Sequence, residues 1–110
     1  MDIHITARHF RAHETLRTHA QESLKKLERF HRDIISAAMV LSYEKAIHSV
    51  KVVELHITVH GAVLKLLVKS EDFIKSIDAA IQKIERQIQK YKSKQRDKKK
   101  AVIRKKQSKV

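Results

Sequence analysis

The chain has no cysteine, no proline and no tryptophan, and a single glycine among its 110 residues. Without cysteine there is no disulfide framework, no thiolate metal site and no cysteine nucleophile, and nothing demands an oxidising compartment. One glycine cannot build a phosphate-cradling G-x-G-x-x-G or G-x-x-x-x-G-K-[ST] loop, which excludes enzymes that rely on one. The lack of proline argues against long irregular loops and, outside the C-terminal end, against low-complexity linkers. The longest apolar run, residues 34–41, is far below the ~20 residues of a membrane-spanning helix. The opening MDIHITARHF lacks an apolar core and a small-residue cleavage site, so no signal peptide is expected. These absences describe one cytoplasmic, soluble domain with no membrane partner and no small-molecule substrate.

Positive charge is abundant, and it is unevenly placed. The chain carries 25 Lys and Arg against 12 Asp and Glu, a formal net charge of +13. Eleven of those basic residues fall in residues 90–110, opposed only by Asp97. The tail therefore holds about ten net charges and residues 1–89 about three, so the body is near-neutral and the end reads as a nucleic-acid arm. Residues 1–95 are expected to form the folded domain. Residues 96–110 are expected to be a basic tail, flexible or a frayed extension of the last helix.

Periodicity orders the body. Residues 2–6 alternate, with Ile3 and Ile5 opposite His4 and Thr6, as a strand with one buried side does. Residues 13–30 switch to helical spacing, with Leu16, Ala20, Leu24, Leu27 and Phe30 in one stripe. That helix lacks a Ser, Thr, Asp or Asn cap before Glu14. Three strands follow, at residues 34–43, 50–59 and 62–68, and His60-Gly61 forms the turn between the last two. Ser70-Glu71-Asp72 supplies cap chemistry for a second helix, along which Ile74, Ile77, Ile81, Ile84, Ile88 and Tyr91 recur. The order β-α-β-β-β-α predicts an α+β fold, a two-layer sandwich. Its four-stranded mixed sheet carries both helices on one face, and the first two ordered strands run parallel.

Catalytic and metal chemistry find little support. His9 and His13 straddle a loop-helix boundary, and His56 and His60 lie ~13 Å apart along a strand, so neither pair chelates. Glu71 and Asp72 read as helix-start charges. No metal, no cofactor and no enzymatic activity are expected. The basic residues carry more information: seven lie within residues 8–32, and Lys75, Lys83, Arg86 and Lys90 stripe the outer side of the second helix. Two such stripes on one side of the molecule, running into a basic tail, favour RNA or DNA as partner. Contacts of this kind go to phosphates and carry little sequence information. Phe10 and Tyr91 are the candidates for base contacts, against a role in packing at the edge of the core.

Several short motifs, in order and at matching spacing over about residues 1–95, resemble one family. They are I-x-I-T-x-R-H (Ile3, Ile5, Thr6, Arg8, His9), L-R-x-H-A at residues 16–20 and K-L-x-R at residues 26–29. Glu44-Lys45, S-E-D at residues 70–72 and S-I-D-A-A-I-x-K-I-E-R-Q-I at residues 76–88 complete the set. The chain resembles bacterial ribosome hibernation promoting factors, or ribosome-associated translation inhibitors, also labelled sigma-54 modulation proteins. The resemblance implies the same β-α-β-β-β-α fold and binding to the 30S subunit and 70S ribosome, on 16S rRNA in the channel of mRNA and the A- and P-site tRNAs. Translation would be blocked there in starvation or stationary phase. It points to Arg8, His9, Lys25, Lys26, Arg29, Lys45, Lys83, Arg86, Lys90, Lys92 and Lys94 as the rRNA-binding residues. Two alternatives stay open, a module that modulates a sigma factor and a general RNA-binding domain driven by its tail. Ala7 stands where the family often has glycine, and the dimerisation domain of long-form members is not expected here.

Overall fold

The computed structural model describes residues 2–44 and 49–108, with side chains as far as residue 94. Its elements are β1 (Asp2–Ala7), α1 (Glu14–Phe30), β2 (Ile34–Tyr43), β3 (Lys51–Val59), β4 (Ala62–Ser70) and α2 (Phe73–Ser108). The sheet order is β1-β2-β3-β4, with β1 parallel to β2 and the other neighbours antiparallel. The parallel pair follows from the α1 crossover, whereas the tight β3–β4 turn permits only an antiparallel return. The fold predicted from periodicity is the fold observed.

The core lies between one sheet face and the two helices. Ala37, Met39, Leu41, Val53, Leu55 and Ile57 point into it from the central strands and are fully buried. Ala20, Leu24 and Leu27 meet them from α1, and Ile77, Ala80, Ile84 and Ile88 from α2. The opposite sheet face is polar or half-exposed, with His4, Ala38, His56 and Lys65 side by side across the four strands. At the start of β2 the register shifts between Ile34 and Ser36, and the intervening Ile35 is turned outward at 54% exposure. This is the two-against-one pairing of a β-bulge.

Local chemistry sets the element ends. Gly61 adopts φ +85°, the left-handed conformation that a tight hairpin requires and that L side chains resist. Asp72 caps α2, its Oδ1 accepting the Ile74 amide at 2.8 Å. The cap of α1, which the sequence did not reveal, is His13: its Nδ1 accepts the Thr15 amide at 3.5 Å. Without Gly or Pro beyond residue 72, and with Lys, Arg and Gln favouring helix, nothing stops α2 until Ser108.

Two stripe assignments need correction. Phe30 is not in the core but is 68% exposed, because His31 takes the inward place at the end of α1. The His31 amide closes the helix on the Leu27 and Glu28 carbonyls, and its ring is buried. In α2, Ile74 lies on the rim and Ile81 is only half-buried, while Phe73, Ser76 and Ala80 fill the buried stripe. A residue one place away is rotated ~100° on a helix, enough to move it from core to margin.

Candidate nucleic-acid interface

The helix layer exposes most of the basic residues singled out above. Lys25 and Arg29 are one turn apart on α1, and Lys83, Arg86 and Lys90 follow at spacings of three and four on α2. All five are exposed, as are Lys26 and Lys94. Arg29 in the last turn of α1 also complements the negative end of the helix dipole. Arg8 and His9 are exposed on the β1–α1 connection. The Arg8 amide continues the parallel ladder with a 2.9 Å bond to the Leu41 carbonyl. His9 then takes φ +62°, so the left-handed residue falls two places after Ala7, and Ala7 keeps strand pairing with Leu41. Lys45 lies outside the described residues.

The helices do not present an unbroken basic surface. Between them runs a cleft of about 450 Å³ lined by His19, Glu22, Lys26, Asp78, Gln82 and Glu85 among others. His19 and Asp78 join across it at 2.7 Å. The outer basic rows of α1 and α2 are therefore separated by a seam rich in carboxylates. Sequence periodicity gives each helix its polar side but not which polar residues face the neighbouring helix, so the seam was missed. A phosphate backbone meeting this face is attracted along two lines and repelled between them.

Lys92 has an intramolecular role. Its Nζ lies 3.3 Å from the buried His31 Nδ1 and 3.0 Å from Asp33 Oδ1, tying α2 to the end of α1 and the start of β2. The neutral imidazole must accept here, since an ammonium only donates. Burial, and then the Lys92 charge, lower the His31 pKa below its ordinary value, against opposing contributions from Glu85 and Asp33. Desolvation pushes the Asp33 carboxyl up, but the Lys92 bond, its own backbone amide and the nearby cations outweigh it and hold the group below the usual range.

Of the two readings open for Phe10 and Tyr91, the structure supports packing at the edge of the core. Phe10 stacks on Phe73 with ring centroids 5.3 Å apart, and Tyr43 meets both edge-on. Tyr91 is half-buried and donates its hydroxyl to the His60 carbonyl at 2.8 Å. Both candidates for base contact thus pack within the fold, and Phe30 is the most exposed of the aromatics. Among the described residues, no three His, Asp or Glu side chains converge as metal ligands. Among them also, no helix is long and apolar enough to cross a membrane.

The sequence model of the sigma 54 modulation protein / S30EA ribosomal protein family matches residues 3–96. The chain belongs to that family. The match spans every strand and the part of α2 that covers the sheet, so the resemblance carried by the short motifs extends across the whole sandwich. Among solved structures, a ribosomal subunit interface protein from Coxiella burnetii is 22% identical with a TM-score of 0.76, over 84% of this chain and 99% of that one. The N-terminal domain of Thermus thermophilus Protein Y is also 22% identical, with a TM-score of 0.69, over 83% and 99%. At this identity the two structures establish the shared fold. No curated protein sequence matches the chain significantly.

Proposed function

We propose that this S30EA-family chain is a non-enzymatic, cytoplasmic ribosome hibernation factor. It binds the 30S subunit, alone or in the 70S ribosome, and occupies the channel of mRNA and the A- and P-site tRNAs on 16S rRNA. Translation is then inhibited by steric and electrostatic occlusion under starvation or stationary phase. The observation that carries this reading is the pair of exposed basic rows, Lys25 and Arg29 on α1 and Lys83, Arg86 and Lys90 on α2. They are mounted side by side on a rigid sandwich of the matching family. Arg8 and His9 extend the surface at one end, and Lys26, Lys94 and the solvent side of Lys92 add to it. Residues 1–95 bind, while the basic tail, residues 96–110, strengthens the attachment.

Sedimentation with purified ribosomes at low salt, followed by footprinting on 16S rRNA, tests the reading. Protein should travel with 30S and 70S particles and protect the mRNA and tRNA channel. With 6–10 phosphate contacts, affinity should fall about 10³–10⁵-fold between 50 and 200 mM salt. A chain left at the top of the gradient at low salt refutes the proposal. The family description also carries a sigma-factor label, and binding to a sigma factor that survives nuclease treatment would favour that reading instead. Deleting residues 96–110 separates a channel binder, which keeps its footprint, from a tail-driven RNA binder, which loses it.

A further inference from the structure

We infer that Phe30 is a stacking platform for one unpaired nucleobase, which makes part of the helix face a base-reading site as well as a phosphate-binding one. The inference rests on the ribosomal reading above and goes beyond its phosphate contacts. Phe30 is the most exposed large apolar side chain of the described residues, at 68%. It stands at the end of α1, where the neighbouring Arg29 and Arg32 are both exposed cations. With Lys26, His31, Glu85 and Gln89 it lines an open cavity of about 530 Å³ between the end of α1 and the middle of α2. An apolar ring flanked in the chain by two exposed arginines and sharing its cavity with Lys26 does not suit an apolar protein partner, which would have to bury those charges. It does suit a nucleotide, whose base offers a π-face to the ring and whose phosphate answers the arginines.

The platform is held in place before any ligand arrives. His31, next in sequence, is buried and bonded through its ring to Lys92 and through its amide to the Leu27 and Glu28 carbonyls. The backbone that carries Phe30 is therefore closed onto the last turn of α1 and, through the neighbouring His31 ring, tied to α2. Among the lining residues, Glu85 carries a carboxylate and Gln89 an amide, acceptor chemistry that matches the exocyclic amino group of cytosine, adenine or guanine. The site thus favours a base extruded from its helix with an amino edge turned toward α2.

The absence of tryptophan elsewhere makes a direct test possible. Phe30→Trp, produced with 5-hydroxytryptophan, places one fluorophore at the site that can be excited to the red of ribosomal tryptophans and of RNA. Phe30→Leu keeps the apolar bulk and removes the π-face. Purified 30S subunits are the probe, titrated against the full-length parent and both variants. The expected result is parent-like binding by F30W with quenched emission, and binding by F30L weakened roughly 5- to 150-fold, the worth of one stacked base. Emission that shifts to the blue without quenching means contact with ribosomal protein and overturns the inference. So does F30L binding as tightly as the parent. A parent chain that ignores 30S subunits overturns the ribosomal reading itself, an outcome distinct from the other two.

Discussion

Replacing Lys92 with Met tests whether this lysine serves the fold as well as any RNA. Methionine keeps the apolar stem and removes the ammonium that bridges His31 and Asp33 at 3.3 and 3.0 Å. The Asp33 side chain is 52% exposed and Lys92 38%, so the ion pair is discounted for solvent and contributes only about 0.2–1 kcal/mol. Loss of the donor to His31 matters more, because that ring is 8% exposed and its Nδ1 is left without its partner. A buried acceptor stranded in this way costs about 1–3 kcal/mol, partly offset here by water reaching the space the ammonium leaves. Lys92→Met should therefore lower unfolding stability by about 1–2 kcal/mol in urea titrations near neutral pH.

The same latch fixes a pH signature. His31 has a folded pKa below its unfolded value, so on acidification the unfolded chain takes up its proton first. The stability tied to neutral His31 is complete above the ordinary imidazole value of about 6.5 and is lost as pH falls through the lowered folded value. Lys92→Met removes one cause of the lowering, leaving burial as the main one, so the variant should lose less on acidification than the parent. The gap between the two should narrow between about pH 7.5 and about pH 5.5, either side of the unperturbed value. Equal stability near neutral pH, or a gap that widens in acid, would refute this account of the latch.

The β3–β4 turn yields a double-mutant cycle. A Cβ on Gly61 would approach the Tyr91 hydroxyl to 3.1 Å and would sit on a residue at φ +85°. Gly61→Ala should cost about 1–2 kcal/mol from backbone strain alone, and the further cost of contact should vanish in a Tyr91→Phe background. Additive thermal shifts in the cycle would mean the two residues do not touch. Asp72→Ala removes the cap on the Ile74 amide and should destabilise by about 1 kcal/mol, with Asp72→Ser largely restoring the loss in thermal melts.

β1, β3 and β4 were legible because each alternates every two residues, which the sheet pleat converts directly into one buried face, and β2 because it is rich in β-branched and small apolar residues. Helix content was equally legible, but the inward residue of each turn was not. Phe30 and Ile74 sit on the edges of their stripes, where spacing alone leaves two orientations open. His31 and Phe73 took the inward positions because the ends of α1 and α2 lie against the other layer at those points. The His13 cap escaped notice because imidazole is an unusual capping acceptor. Positions of the basic residues could be read from the chain, whereas the carboxylate seam could not. Glu22, Asp78 and Glu85 come from two helices and meet only when those helices pack.

The sequence by itself determined the element order, the parallel first pair, the glycine turn and the concentration of charge in the tail. It also carried the family, through short motifs spread over the sandwich. Each of these depends on local periodicity, chain connectivity or composition, which need no distant partner. Tertiary structure alone decided how the polar residues divide between duties. It drew Lys92 into a latch on His31 and Asp33, folded Phe10 and Tyr91 into packing, and left Phe30 in solvent between two arginines. The reason is geometric: a side chain's environment is set by residues tens of positions away, and only packing the helices on the sheet brings those residues together.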